Sequence, residues 1–288
     1  MEFELLRIIA TLSFLTAATY YDLFNKKNVP VFIPYAMISI GLLLNIFTLN
    51  LNFILSSSAV ALAVLAIGYL VYRTGQLGGA DVLIFAGISL LLPNAPSLSI
   101  FQASAQQPLF TYPFILSVFL VSGFLAVIGL SAKYVPKVAC ALLRGNVEIK
   151  AQSALSSVLI VASYLAVIYF FSEAGILSTA QSVFLLLLVL LAGFLTLFKD
   201  YISSSMVEWV PLGSIDEEDV IALHLLDEKL VRRLKLQPVL TPSEMVKLKR
   251  TRMKKFPIFK GMPPFLPYVL VALIFLLLFG DPLTLMFT

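Results

Sequence analysis

The amino-acid sequence predicts an all-α membrane protein, a polytopic helical bundle of about eight spans. Of its 288 residues, 60% are hydrophobic and only 12% are charged, and the mean hydropathy is +0.98. A soluble domain carries about twice that charged fraction. Long apolar runs also recur along the chain, and together these observations place the sequence in the membrane class.

Eight runs have the apolar composition of a span, which needs about 20 residues. They are residues 5–21, 31–49, 53–72, 82–93, 113–130, 154–171, 182–198 and 265–279. The run 82–93 is short, so the uncharged stretch 95–110 completes it or it ends in a re-entrant segment, and counts of seven or nine stay open. The chain begins with acidic residues, so we expect the first run to be a permanent span, not a cleaved signal peptide.

The basic residues predict the orientation of these spans. With the N-terminus outside, the segments 22–30, 73–81, 131–153 and 199–264 are cytoplasmic, and they hold every Lys and Arg except Arg7. This asymmetry is that of the positive-inside rule. The same asymmetry explains the net charge of +4 as a property of a protein in a lipid bilayer, so the charge does not indicate binding to nucleic acid. We therefore expect a multi-pass cell-membrane protein with both termini outside.

One polar stretch interrupts the membrane pattern before the last run. The predicted organisation is a transmembrane bundle over residues 1–199, a cytoplasmic insert over 200–263, and a final span with an outer tail over 264–288. We expect the insert to be a small α+β or mostly helical module, with strand preference over 206–215. Ser214-x-x-Glu217 and Thr241-Pro242-Ser243-Glu244 each predict the start of a helix through a capping box.

Acidic residues at membrane depth are functional candidates, because an ionised group is costly there. Of the 16 acidic residues, most lie in the insert or, like Glu173 and Asp281, at outer helix ends where water reaches them. Asp22, Asp81 and Asp200 lie at cytoplasmic helix ends. Asp200 adjoins Lys199 and has no glycine motif, so we interpret it as an interfacial residue.

Asp22 ends the first run and Asp81 begins the fourth, at the same membrane face. Two carboxyls close together share one proton, so that one can act as a base on water while the other polarises a peptide carbonyl. Gly78, Gly79 and Ala80 give the backbone before Asp81 room to approach a neighbouring helix or an extended substrate. The structural alternative stays open, because helix-end aspartates are often interfacial and Asp81 complements a helix dipole.

Other hydrolase chemistries lack their residues. The chain has one histidine, His224, and one cysteine, Cys140. Neither H-E-x-x-H nor G-x-S-x-G is present, which excludes the corresponding zinc and serine hydrolases. We expect no metal and no cofactor.

The motifs around both aspartates resemble those of the GxGD membrane aspartyl peptidases. Asp22 is followed by Lys26, Lys27 and Val29-Pro30, and Asp81 ends a Gly-x-small-Asp motif. Within that group the chain resembles the type IV prepilin peptidases, particularly the archaeal prepilin and preflagellin peptidases. These enzymes place one catalytic aspartate at the end of the first span and the other in GxGD, both facing the cytoplasm. The resemblance covers residues 1–130 well and the C-terminal quarter loosely. Ala80 departs from the named motif, and the runs 154–171 and 182–198 exceed the family's simplest form.

This resemblance implies an aspartic endopeptidase that removes the short basic leader of a type IV pilin-like or archaellin-like precursor, without N-methylation. Presenilin and signal peptide peptidase share GxGD and a Tyr-Asp pair, matched by Tyr21-Asp22, but their catalytic helices are consecutive. The alternative function is a cation- or proton-coupled transporter that uses the same aspartates. Transporter sites usually lie at the bilayer midplane, however, and no inverted repeat is present. A catalytically inactive scaffold of a pilus machine is the third hypothesis.

Overall fold

The computed structural model describes residues 3–25, 29–96, 112–145, 147–216, 219–249, 251 and 253–281. Lys26, Lys27, Glu217, most of the stretch 95–110 and the tail after Asp281 therefore lie outside the described residues. The chain forms two compact units. The first unit is Met1–Asn94, Pro113–Ile115 and Met206–Leu270, and the second is Ala95–Tyr112, Leu116–Ser205 and Val271–Thr288. The predicted boundaries at 199 and 263 separate membrane segments from a cytoplasmic insert, and they stay a prediction.

Most of the described chain is α-helical. The helices are α1 (Glu4–Phe24), α2 (Phe32–Ile46), α3 (Leu51–Arg73), α4 (Gly79–Leu91), α5 (Phe114–Leu143), α6 (Ala151–Glu173), α7 (Thr179–Leu197), α8 (Lys199–Ser205), α9 (Glu228–Leu234), α10 (Pro242–Lys249) and α11 (Leu266–Phe279). The strands β1 (Val207–Pro211) and β2 (Lys255–Phe259) form an antiparallel sheet.

Helix α4 lies at the centre of the first unit, because α1, α2 and α3 all pack against it. Every α4 side chain from Ile84 to Leu91 is buried. A helix that is apolar on all sides belongs in such an interior. The enclosure explains how α4, with 13 residues, is held in place although it is short for a span.

Glycines let α2 and α3 approach α4 closely. A Cβ atom added to Gly41 of α2 would lie 2.7 Å from the Cβ atom of Leu90 and 3.2 Å from its carbonyl carbon. A Cβ atom at Gly68 of α3 would collide with the side chain of Val82. Small residues at such crossings allow close backbone packing between membrane helices.

A buried arginine connects the helices of this unit. Arg7 of α1 donates from Nη1 to Asn45 Oδ1 of α2 at 2.7 Å. The same nitrogen donates to the carbonyl oxygens of Leu90 at 3.3 Å and Leu91 at 3.2 Å, at the C-terminal end of α4. Asn45 donates in turn to Ser57 Oγ of α3 at 3.0 Å. A cation suits a helix C-terminus, where the last carbonyls lack intrahelical partners.

The remainder of the first unit contains a small α+β module formed by β1, α9, α10 and β2. Its core is made of apolar side chains: Ile215, Ile221, Leu226, Leu236, Leu240, Leu248, Phe256 and Ile258. The strand preference predicted for 206–215 is confirmed by β1. The predicted helix start at Pro242 is confirmed too, since α10 begins there and the Glu244 N–H donates to Thr241 Oγ1 at 3.4 Å.

The helix predicted to start at Ser214 is wrong for the described residues. Ser214 ends a short 3-10 turn, and Ile215 after it is extended. The N–H of Asp216 donates to Asp219 Oδ2 at 2.9 Å. Aspartate side chains compete in this way with helix formation by bonding to nearby backbone groups, so the acidic residues here close a turn.

The second unit contains α6, α7, α8 and most of α5 and α11. Helices α6 and α7 pack closely, and Ser157 Oγ donates to the Gly193 carbonyl at 2.7 Å. Helix α5 continues to Leu143, beyond the end of its predicted apolar run at residue 130. It is closed by Gly145, whose φ of +68° is the left-handed conformation common after helix C-termini.

Every predicted apolar run overlaps a described helix, so the mostly helical prediction is confirmed. Among the described residues, α3, α5, α6 and α7 are long and apolar enough to cross a membrane, whereas α2, α4 and α11 are shorter apolar helices. The first helix, α1, carries Glu4, Arg7 and Asp22. The count of about eight spans and their orientation stay predictions.

Replacing Gly41 by alanine is expected to lower thermal stability in detergent, because Leu90 and its backbone leave no room for the added methyl group. Overpacking of this kind costs about 1–3 kcal/mol. The matched control is Gly123→Ala in α5, where nothing lies within 4 Å of the added Cβ. Equal melting temperatures for both variants would contradict the packing of α2 on α4.

Candidate active site

Asp22 lies in the last turn of α1, and its side chain is buried. Its Oδ2 atom accepts a hydrogen bond from the backbone N–H of Leu266 at 3.1 Å. One turn earlier, Thr19 Oγ1 donates to the Leu266 carbonyl oxygen at 3.4 Å. The end of α1 is thus bonded to the first residue of α11, which follows the α+β module in the chain.

Asp81 lies in the first turn of α4 and is partly buried. Its Oδ2 atom accepts the backbone N–H of Gly78 at 3.1 Å. This bond is the return arm of a capping box, which satisfies an N–H group that has no partner inside the helix. Asp81 is therefore fixed relative to the start of its own helix.

The two aspartates lie on neighbouring helix ends, because Leu266 bonds to Asp22 and the ring of the preceding Phe265 lies 6.0 Å from that of Phe85, one turn after Asp81. At the other end of the same helix pair, Arg7 bonds to the carbonyls of Leu90 and Leu91. Helices α1 and α4 therefore run antiparallel, and the end of α1 meets the start of α4. The structure places the two predicted carboxyls at the same end of this helix pair, and their catalytic role stays a prediction.

The glycine motif has a specific steric role at Gly78. A Cβ atom there would lie 3.0 Å from Asp81 Oδ2, so glycine leaves the space that the returning carboxylate occupies. Its φ of −72° is open to any residue, and the requirement is therefore one of space. Gly79 and Ala80 form the first turn of α4. The predicted approach of this backbone to a substrate stays a prediction.

Asp200 has the contacts of an interfacial residue. It lies in the first turn of α8, accepts a hydrogen bond from Ser153 Oγ at 3.0 Å, and lies 3.6 Å from the Lys150 ammonium. Both partners belong to α6 or its N-terminal flank. These contacts agree with the structural interpretation of Asp200.

The sequence predicts that water reaches Asp281, and this prediction is wrong. Its side chain is buried and accepts hydrogen bonds from Tyr112 at 2.9 Å and Ser117 at 2.6 Å. The prediction failed because hydroxyl donors from distant parts of the second unit stabilise a carboxyl that local sequence places at a helix end.

Within the described residues, no group of three or more His, Cys, Asp or Glu side chains is placed to hold a metal ion. His224 lies exposed in a short 3-10 turn, with its ring centroid 6.2 Å from that of Phe259. The arrangement of Asp22 and Asp81 is suited to acid–base chemistry by paired carboxyls.

Sequence reasoning missed two groups that shape this site. Arg7 carries a usable signal, because an isolated cation inside an apolar run is a functional or structural candidate in its own right. Leu266 carries none, since it acts through a backbone N–H that every residue except proline possesses. Its role follows only from the long-range packing of α11 against α1.

Comparison with protein families adds an independent finding. Residues 9–131 match the model of the type IV leader peptidase family, which is less than half of the 288 residues. The matched segment includes both Asp22 and Asp81, whereas Leu266 lies beyond it. No curated protein and no solved structure matches the chain. Over residues 9–131 the chain is therefore similar to the type IV leader peptidase family, and the predicted resemblance to a prepilin peptidase-like family is confirmed over that part of the chain.

Proposed function

We propose that this protein is a membrane aspartyl endopeptidase that removes the short basic leader of type IV pilin-like or archaellin-like precursors. The match to the leader peptidase family supports a leader peptidase-like function in general. The observation that carries the finer proposal is the position of Asp22 and Asp81 at the helix ends that antiparallel α1 and α4 bring together. Both aspartates lie within the matched segment.

The proposed chemistry needs only these two side chains and a water molecule. The ionised carboxyl takes a proton from water as the water oxygen attacks the carbonyl carbon of the scissile peptide. The protonated carboxyl gives its proton to the carbonyl oxygen. The tetrahedral intermediate then collapses: one of its two hydroxyl groups returns its proton to the dyad, the C–N bond breaks, and the leaving amine receives a proton from the dyad. The sequence of steps restores one shared proton.

The proposed substrate suits a site at one end of a helical bundle. A precursor of this type has a short basic leader followed by an apolar helix, so its cleavage point lies where a membrane helix leaves the bilayer. We place this end at the cytoplasmic face, because the predicted cytoplasmic segments hold every Lys and Arg except Arg7. The positive-inside rule supports that placement.

Loss of either aspartate is expected to abolish cleavage of a pilin-like precursor by membranes that contain the protein. Asp22→Asn and Asp81→Asn each keep the shape of the side chain but cannot exchange the proton. General acid–base groups contribute about 10²–10⁴-fold to a rate, so we expect at least about a hundred-fold loss. The measurement is the initial rate of leader removal, followed by the mass change of the precursor.

Asp200→Asn is the matched control, since Asp200 is also a helix-end aspartate but bonds to Ser153 and Lys150. It should cleave at the wild-type rate. Equal cleavage by the wild-type chain and by Asp22→Asn and Asp81→Asn would refute the dyad. Failure of the wild-type chain to cleave any such precursor would count against the peptidase and favour a transporter.

The single cysteine offers a test of orientation. Cys140 is exposed in the last turn of α5, in a segment predicted to be cytoplasmic. A membrane-impermeant maleimide should therefore label it in inside-out vesicles and leave it unlabelled in intact cells. The opposite pattern would contradict the proposed orientation.

The control for that labelling is Ala174→Cys in a Cys140→Ser background. Ala174 is exposed directly after α6, in a segment predicted to be outside. This variant should be labelled in intact cells, which shows that the reagent reaches the outer loops.

A further inference from the structure

We propose that the backbone N–H of Leu266 is a positioning group for Asp22, so that chain beyond the matched family segment completes the catalytic site. This inference rests on the proposed function. The Leu266 N–H donates to Asp22 Oδ2 at 3.1 Å, and both side chains are buried. A hydrogen bond to a carboxylate stabilises its ionised form and fixes the direction of its second oxygen.

The start of α11 contacts both helices that carry the aspartates. Thr19 Oγ1 of α1 donates to the Leu266 carbonyl at 3.4 Å. On the other side, the ring of Phe265 lies 6.0 Å from the ring of Phe85, one helical turn after Asp81. Residues 265 and 266 therefore lie where α1 and α4 meet, and they form part of the wall around the dyad.

The α+β module holds this segment through a short link. Beyond the end of β2, the Gly261 N–H donates to the Met206 carbonyl at 3.0 Å, next to β1. Pro263 and Pro264 follow, and proline restricts the backbone on either side of itself. The position of Leu266 is thus tied to the sheet at one end and to Asp22 at the other.

Other titratable groups near Asp22 are few on the described elements around it. Helix α4 supplies Asp81, and α11 supplies Tyr268 in its first turn. Helix α2 contains no Asp, Glu, Lys or Arg, and its Tyr35 is exposed. On α1 itself the neighbouring titratable residues are Tyr20 and Tyr21.

The nearest described cation in the link is already engaged. Lys260 lies 2.5 Å from Asp219 and 3.4 Å from Asp216. Burial opposes its charge, but the hydrogen bonds and negative charges of Asp219 and Asp216 raise the pKa of Lys260 above its ordinary value. Lys260 therefore stays charged at acidic and neutral pH, so its charge does not change in the pH profiles described next.

Proline at position 266 removes the proposed donor and part of the buried Leu266 side chain. Leu266 is the first residue of α11, where the N–H has no intrahelical acceptor and proline is well tolerated. The matched control is Leu266→Ala, which loses a similar part of the buried side chain but keeps the N–H. Similar melting temperatures for the two variants establish that both are folded.

The readout is the pH profile of kcat and of kcat/KM for precursor cleavage. Without the N–H, the ionised form of Asp22 is less stable, so it gives up its proton only at higher pH. One limb of the Leu266→Pro profile should shift to higher pH by about one to two pH units. A hydrogen bond to a charged group stabilises it by a free energy that corresponds to a shift of this size. We also expect kcat to fall while KM is unchanged, because the N–H contacts the enzyme and not the substrate.

The Leu266→Ala profile should keep both limbs in place. Movement of the acidic limb in Leu266→Pro would identify Asp22 as the base, and movement of the basic limb would identify it as the acid. Profiles that do not differ between the two variants would overturn the inference. That failure is distinct from failure of the proposed function, in which the wild-type chain itself does not cleave or does not need Asp22.

Discussion

A guanidinium inside an apolar helical bundle needs hydrogen-bond acceptors, and Arg7 finds them for its Nη1 atom where α1, α2 and α4 meet, whereas its buried Nη2 atom has no partner among the described residues. Hydrogen bonds to charged groups contribute about 1.5–3 kcal/mol each, whereas an unpaired buried charge is strongly destabilising. A shift of α1 along α4 would remove the Leu90 and Leu91 carbonyls from reach. Arg7 therefore ties α1 and α4 to one register, in which the C-terminal end of α4 lies beside the start of α1.

The register determines where the aspartates lie. Helix α1 rises about 1.5 Å per residue from Arg7 to Asp22. Asp81 lies at the opposite end of α4 from Leu90. Antiparallel packing places the end of α1 that carries Asp22 beside the start of α4 that carries Asp81. Each is then held by a backbone N–H, Asp81 by Gly78 of its own turn and Asp22 by Leu266 from far along the chain. Local capping holds the Asp81 carboxyl, and tertiary packing of α11 holds the Asp22 carboxyl. The site therefore depends on α4 itself and on the start of α11.

Features that depend on local sequence were predictable. Apolar runs identified the helices, Pro242 marked the start of α10, and the glycines before Asp81 pointed to a special carboxyl. Features that depend on distant partners were not. Asp281 is buried because Tyr112 and Ser117 donate to it, Ser214 begins no helix because Asp219 closes a turn, and the Leu266 N–H leaves no trace in composition or spacing. A single sequence therefore indicates interactions between neighbouring residues, and it gives little indication of interactions between residues far apart in the chain.

Disulfide cross-linking in a Cys140→Ser background tests most directly whether Asp22 and Asp81 meet. The chain with cysteines at positions 22 and 81 should form an intramolecular cross-link under mild oxidation, detected by mass spectrometry of the digested protein. A chain with cysteines at positions 22 and 45 should not, because Asn45 lies beside Arg7, and the helix between Arg7 and Asp22 rises about 22 Å. Equal yields from the two chains, or a cross-link only between positions 22 and 45, would contradict the antiparallel register and with it the dyad.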